Sequence, residues 1–91
     1  MKLKLTEKAL SGLTRLYDFL APINKSAAAK AVQALTAAPG RLLEHPRIGE
    51  QLHEFEPREV RRILVGHYEM RYEIRRSDIY ILRLWHTRED R

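Results

Sequence analysis

Hydrophobic positions in the first part of the chain follow a helical period after one short strand. Residues 2–5 alternate Lys and Leu, which predicts an edge strand with both leucines on one face. Thr6 can cap the helix that follows, and Pro22 disfavours helical geometry just before it, so the helix is predicted to end there. The apolar residues between them are spaced as one helix face: Leu10, Leu13, Leu16, Tyr17 and Leu20.

A second helix is predicted from Lys25 to about Ala38, with Asn24 as its N-cap. Its many alanines favour helix formation and allow close approach of a neighbouring helix. Its inner stripe consists of Ala28, Ala31, Val32 and Leu35. The Pro-Gly pair at residues 39–40 interrupts the pattern, and Pro39 either divides the helix, with a further short helical turn after it, or only bends it. Two helices joined by a short turn predict an antiparallel hairpin.

The pattern changes to a period of two at Val60, after a polar loop over residues 46–58. Three strands are expected, at Val60–Val65, His67–Arg75 and Ile79–His86, separated by tight turns. The middle strand alternates cleanly and places on one face Tyr68, Met70, Tyr72 and Ile74.

These elements predict an α+β fold in a single domain spanning residues 1–91. In this fold the N-terminal strand and the helical hairpin pack on a three- to four-stranded antiparallel sheet. A hydrophobic content of 44% with 32% charged residues is typical of a globular domain and argues against disorder.

Cysteine usage and hydropathy exclude several classes of protein. The chain has no cysteine, which excludes a disulfide framework and a thiolate metal site. No signal-like apolar segment follows the N-terminus, and no run approaches the roughly 20 apolar residues of a membrane span. We therefore expect a cytoplasmic protein that does not contact a membrane.

The charge indicates an acidic or polyanionic partner, because the net charge is +5 and the isoelectric point is about 9.9. All lysines lie within the first 30 residues, and every later basic residue is arginine. Arginine favours bidentate contacts with phosphate or carboxylate. Drift towards arginine in a GC-rich genome explains the same segregation equally well.

The predicted strands could bring cationic side chains onto one open sheet face. The candidates are either Arg61 or Arg62 from the first strand, together with Arg71, Arg83, His86 and Arg88. His86 has the opposite strand parity to Arg83, so a shared site requires the strand to end or bulge near Trp85. The alternative is a solvated face on which Arg and Glu pair across strands.

Metal and cofactor chemistry have no support in the sequence. His45 and His53 lie in the loop without the spacing of metal ligands, so we expect no metal site. There is no glycine-rich phosphate loop and no Ser/His/Asp arrangement at recognisable spacing, and we expect no cofactor.

Several segments, in this order along the chain, resemble the RelE/ParE superfamily of bacterial type II toxins. They are Pro46-x-x-Gly49, EVRRILVG at residues 59–66, Tyr68-x-x-x-Tyr72-Glu-Ile and IYILRLWHTR at residues 79–88. The last segment is most similar to the ParE-like plasmid-stabilisation branch.

The resemblance implies a small antitoxin that wraps and neutralises this chain in a toxin–antitoxin hetero-oligomer. A basic surface suits an acidic segment that folds on binding. The expected contacts come from apolar residues of the helical hairpin: Leu13, Leu16, Tyr17, Leu20 and Leu35.

The resemblance implies two alternative activities. ParE-like members poison DNA gyrase without catalysis, whereas RelE-like members cleave mRNA on the ribosome. RNA cleavage needs a base, an acid and cations for the phosphate, and arginine cannot be the base. This chain lacks the lysines and the C-terminal tyrosine of the RelE pattern, since it has no lysine after residue 30 and no tyrosine after Tyr80. We therefore place gyrase inhibition ahead of RNA cleavage.

The two activities would use overlapping residues. For gyrase or nucleic acid, the expected contacts are Arg61, Arg62, Arg71, Arg83 and Arg88. Relatives resembling YoeB pair a Glu with a His near the chain end, which Glu56, Glu59 or Glu69 could imitate here with His86. As a ribonuclease, the chain would therefore use Glu69, Arg71, Arg83 and His86. A third hypothesis is a relative that binds its antitoxin but has lost toxicity.

Overall fold

The computed structural model describes residues 1–88, and the last three residues of the predicted domain lie outside the described residues. Within residues 1–88, two helices, α1 and α2, and five strands, β1 to β5, follow one another along the chain. Their bounds are β1 Lys2–Leu5, α1 Glu7–Leu20, α2 Lys25–Glu44, β2 Glu50–Gln51, β3 Glu59–Val65, β4 Tyr68–Arg75 and β5 Asp78–His86. A 3-10 turn, His53–Phe55, lies in the loop between β2 and β3.

The strands form one sheet in the order β1-β5-β4-β3-β2, with the helical hairpin on one of its faces. The predicted α+β fold is confirmed, and β1 lies at the sheet edge as expected. The sheet has five strands rather than three or four because the two-residue β2 pairs with β3. It is mixed rather than antiparallel because β1 joins β5 in parallel.

The core lies between the helices and the sheet face that they cover. It includes Met70, Tyr72 and Ile74 of β4, which confirms the predicted alternation of that strand. Ile79 and Ile81 of β5 are fully buried in the same cluster. Within the described residues, neither helix is long and apolar enough to cross a membrane.

Close packing of α1 on β5 depends on Gly12. A Cβ atom at this position would lie 2.6 Å from the backbone oxygen of Leu84, so a side chain would push the helix away from the strand. At the helix start, Thr6 caps α1 by accepting a hydrogen bond from the Ala9 N–H, as predicted. The Thr6 hydroxyl also donates towards the carbonyl oxygen of Ile81 at 2.9 Å.

The prediction that the second helix ends near Ala38 is wrong, because α2 continues to Glu44 with Pro39 inside it. Proline removes one helical hydrogen bond and usually kinks or breaks a helix. Here Pro39 is buried, and Leu42 one turn later is fully buried in the core. Burial of this apolar surface offsets the lost hydrogen bond and keeps the last turn helical.

A β-bulge in β5 decides which side chains share a sheet face. Tyr72 pairs with Ile81, whereas the preceding Arg71 pairs with Arg83, so Leu82 is an extra residue. The bulge lies at Leu82 rather than near Trp85, where a shared site would have required it. Beyond it, Leu84 and His86 face the helices with the core residues of β4, and Arg83 and Trp85 face the opposite side.

Candidate functional site

The sheet face opposite the helices, hereafter the open face, interleaves arginine, glutamate and aromatic side chains. The strand registers place on it Arg62, Glu69, Arg71, Glu73, Arg75, Tyr80, Arg83 and Trp85. Arg58, from the loop before β3, also reaches this face. The predicted pairing of Arg and Glu across strands is therefore present, but two of its carboxylates are buried.

Each buried carboxylate of the open face is held by two arginines. Glu69 is 2% exposed and accepts hydrogen bonds from Arg62 Nη1 at 3.4 Å and from Arg71 Nη2 at 3.2 Å. Burial of a charge is costly unless it is paired and hydrogen-bonded. These carboxylates therefore fix the arginines in place on the sheet.

Glu73, which is 3% exposed, receives two hydrogen bonds from Arg58, at 3.1 and 2.9 Å, and one from Arg75 at 3.0 Å. Hydrogen bonds from the Arg58 guanidinium, opposed by burial, hold the pKa of Glu73 below its ordinary value. The carboxylate is thus ionised at neutral pH and neutralises part of the positive charge of Arg58 and Arg75.

Aromatic rings support the same arginines by cation–π contact. The Arg71 guanidinium lies 4.8 Å from the ring centre of Trp85 and 5.4 Å from that of Phe55. Arg83 lies 5.2 Å from the same Trp85 ring and is exposed. This stacking orients two guanidinium groups on one indole.

Arg61, a predicted target contact, lies on the helix-facing side of β3, so the predicted open-face group is corrected to Arg62 without Arg61. The Arg61 side chain is 15% exposed and donates to the Gly49 carbonyl at 2.8 Å and to Glu59 at 3.0 Å. Burial raises the pKa of Glu59, but hydrogen bonds from Arg47 and Arg61 outweigh it and lower the pKa overall. Arg61 therefore holds the loop before β2 to the sheet.

The Pro46-x-x-Gly49 segment is anchored by one buried hydroxyl. Tyr72 Oη donates to the Pro46 carbonyl at 2.8 Å and accepts from the Gly49 N–H at 3.0 Å. A Cβ on Gly49 would lie 2.6 Å from that oxygen. Burial raises the pKa of Tyr72, so its hydroxyl stays protonated. Sequence analysis placed Tyr72 in the core but missed this anchoring role.

His86 lies on the helix-facing side of the sheet, at one end of an apolar groove of about 470 Å³. The groove is lined by Arg15, Leu16, Phe19, Leu20, Tyr68, His86 and Arg88. The His86 ring contacts Tyr68 edge-on, with the ring centres 5.2 Å apart. Its Nδ1 accepts a hydrogen bond of 3.0 Å from the Arg88 backbone N–H.

The structure assigns the predicted antitoxin contacts to different environments. Leu16 and Leu20 line the groove, whereas Leu13 packs against the core and Tyr17 lies outside the groove. Leu35 is 2% exposed and reaches no partner surface, because its helix face is turned towards the sheet. Sequence analysis missed Phe19, which is 70% exposed, because the apolar period selects the inner stripe of a helix rather than its outer rim.

The predicted catalytic group is not assembled. Glu69, Arg71 and Arg83 lie on the open face, whereas His86 lies on the other side of the sheet. Glu59 pairs opposite Ile74, six residues along β4 from the partner of His86, which is about 20 Å at roughly 3.3 Å per residue. Among residues 1–88, no three His, Cys, Asp or Glu side chains are grouped as metal ligands.

Comparison with known proteins extends over nearly the whole chain. Residues 3–91 match the family model described as the ParE toxin of the type II toxin–antitoxin system parDE. The fold is similar to a solved chain of the chromosomal ParDE TA system from P. aeruginosa, with a TM-score of 0.78 and 27% sequence identity. That match covers 94% of this chain and 95% of the other. No curated protein sequence matches this chain.

Proposed function

The chain belongs to the ParE toxin family of type II toxin–antitoxin systems, and from this premise we propose that it inhibits DNA gyrase and is neutralised by a cognate antitoxin. The antitoxin proposal is supported by the similarity to a chain of a ParDE TA system. The gyrase proposal is supported by one observation above all. The predicted catalytic residues Glu69, Arg71 and Arg83 lie on the sheet face opposite His86.

RNA cleavage requires a base near the attacking 2′-hydroxyl and an acid near the leaving oxygen, both on the same scissile phosphate. Glu69 is 2% exposed and is engaged by Arg62 and Arg71, so it is a poor base for an incoming substrate. The sheet itself separates Glu69 from His86. A toxin with this arrangement acts by binding its target rather than by general acid–base catalysis.

We assign target binding to the open face. Arg83 is exposed there, Arg62 is 40% exposed, and Arg71 is held between them by stacking and by Glu69. Preorganised cations of this kind attract and orient an anionic partner. Arg88 lines the groove on the other side of the sheet and is assigned to the antitoxin surface instead.

We assign antitoxin binding to the groove beside α1. Its walls are apolar, from Leu16, Phe19 and Leu20, and arginine side chains also line it. An amphipathic acidic segment fits this chemistry, because its apolar face would bury the leucines and its carboxylates would meet Arg88. The groove and the open face lie on opposite sides of the sheet, so one partner can bind each.

The test is a supercoiling assay with purified gyrase, plasmid DNA, ATP and this chain. We expect loss of supercoiling and, after protein denaturation, linear plasmid from trapped gyrase, with intact plasmid when gyrase is omitted. His86→Ala leaves inhibition unchanged, because His86 lies away from the open face.

A parallel translation reaction tests the ribonuclease alternative. Codon-dependent mRNA cuts that His86→Ala abolishes, together with unaffected gyrase, would replace gyrase inhibition by RNA cleavage as the activity. Normal bacterial growth with abundant folded protein, and no effect in either reaction, would favour a relative that has lost toxicity.

A further inference from the structure

In the part of the chain that the structure describes, two arginines face each other across β4 and β5 without a shared counter-ion. Arg71 and Arg83 are directly opposed in the strand register, where like charges repel. Glu69 pairs with Arg71 at 3.2 Å. Within residues 1–88 no carboxylate pairs with Arg83, and its guanidinium contacts the Trp85 ring. The pair therefore carries surplus positive charge at one point of the open face.

The pair also has unused hydrogen-bonding capacity. A guanidinium has five N–H donors. Arg71 Nη2 donates to Glu69, whereas Arg71 Nε is buried and has no hydrogen-bond partner within the described chain. Trp85 holds both guanidiniums, with 4.8 Å to Arg71 and 5.2 Å to Arg83. Because Arg71 Nε is buried, an incoming anion would meet the exposed Arg83 guanidinium instead, and its negative charge would relieve the repulsion.

We propose that Arg71 and Arg83, stacked on Trp85, form an anion site that receives a side-chain carboxylate from an acidic segment of a protein partner. The planar fork of arginine matches a carboxylate in bidentate geometry. This inference rests on the proposed role of the open face in target binding and adds which chemistry the face recognises.

Protein carboxylates fit this face better than nucleic acid does. The arginines alternate with fixed anions, since Glu69 and Glu73 are buried among them and Glu50 pairs with Arg62 at 2.7 Å. The successive phosphates of a nucleic acid would be repelled by these carboxylates. A protein surface can instead place acidic groups against the arginines and basic groups against the carboxylates. The aromatic rings are covered by guanidinium groups, which leaves less ring surface for stacking bases.

Trp85 is the single tryptophan, so its fluorescence reports directly on the site. We would titrate the full chain with an acetylated, amidated hexaglutamate peptide at low salt. The expected result is a saturable change in Trp85 emission. Arg83→Gln should weaken binding about tenfold, as expected for one lost charge-assisted pair. Arg83→Lys keeps the charge without the fork and should bind with intermediate affinity.

Arg41→Gln is the matched control, because it removes the same charge from an exposed position on α2. We expect it to bind the peptide as the wild-type chain does. Circular dichroism of Arg83→Gln should match the wild type, since Arg83 is exposed.

Two results would overturn the proposal. One is tighter binding of a duplex DNA or single-stranded RNA oligonucleotide than of the peptide, reduced by Arg83→Gln but not by Arg41→Gln. The other is no emission change with the peptide. The gyrase assay is independent: peptide binding without gyrase inhibition would contradict the proposed function alone, and inhibition without peptide binding would contradict the carboxylate site alone.

Discussion

The Tyr72 hydroxyl joins the loop before β2 to the sheet, so its removal should be measurable. Tyr72→Phe leaves the buried Gly49 N–H without its acceptor and the Pro46 carbonyl without its donor. We expect a loss of about 1–3 kcal/mol in the free energy of unfolding, measured by urea denaturation. Tyr80→Phe keeps the ring that stacks with Arg75 and should change stability by less than about 0.5 kcal/mol. Equal stability of the two variants would contradict the anchoring role.

Glu73 makes stability depend on acid pH. Because its folded-state pKa is lowered, mainly by hydrogen bonds from Arg58, its ionisation stabilises the fold above the ordinary value near 4.5. That contribution is lost as the pH falls through the lower folded-state pKa. Glu73→Gln should therefore be clearly less stable than the wild type at pH 7, with a gap that narrows towards pH 3 in urea titrations. The exposed Glu54→Gln corrects for general charge effects, and a gap independent of pH would refute this account.

At the residue scale, the sequence predicted the sheet face of a side chain better than its hydrogen-bond partners. The period-two pattern of β4 correctly predicted that Met70, Tyr72 and Ile74 are buried, because side chains alternate between the two faces of a strand that has no bulge. The bonds of the Tyr72 hydroxyl could not be predicted, because they end on backbone atoms of a loop without periodicity. Arg61 and Arg62 were equally plausible on the open face until the register decided between them.

Replacing the glycine of each helix by alanine should have opposite effects on stability, because only Gly12 packs closely against a strand. Gly12→Ala places a Cβ 2.6 Å from the Leu84 backbone oxygen and should cost about 1–3 kcal/mol through overpacking, despite the better helix propensity of alanine. Gly40→Ala, in α2, meets nothing within 4 Å and should stabilise the chain by roughly 0.5–1 kcal/mol. Thermal and urea unfolding of both variants measure these changes in stability. If Gly12→Ala stabilised the chain, α1 would not be packed closely on β5.

Two elements depart from the sequence prediction for reasons of tertiary structure. The sequence left open whether Pro39 divides the second helix or bends it, and the burial of Leu42 beyond Pro39 keeps α2 helical. The β5 sequence is apolar on both faces around Leu82, so an extra residue leaves no break in its hydrophobic pattern. Only pairing with β4 reveals the bulge, and the bulge determines that Arg83 and His86 face opposite sides.

At the scale of the molecule, the order of elements predicted the layers but not the edge pairing. A strand, two helices and a meander imply a helical hairpin packed on a sheet. The parallel pairing of β1 with β5 is non-local, and the sequence of a four-residue strand does not indicate which strand it pairs with. The candidate site was predicted as one cluster, and the sheet divides it into an open face and a groove. The composition shows that the chain is cationic, but it does not show that the arginines are divided between the open face and the groove.

Because the groove and the open face lie on opposite sides of the sheet, we predict that a substitution in the groove can prevent neutralisation by the antitoxin while the chain stays toxic. Phe19 lines the groove and is 70% exposed, so Phe19→Ser should leave the fold and the open face unchanged. Expressed alone, this variant should arrest growth as the wild type does. The antitoxin should bind it about 30-fold more weakly, as for an aromatic contact worth about 2 kcal/mol, and co-expression should no longer restore growth. Leu10→Ser, also on α1 and 52% exposed but outside the groove, is the matched control and should remain neutralised. Equal rescue of both variants would place the antitoxin elsewhere on the molecule.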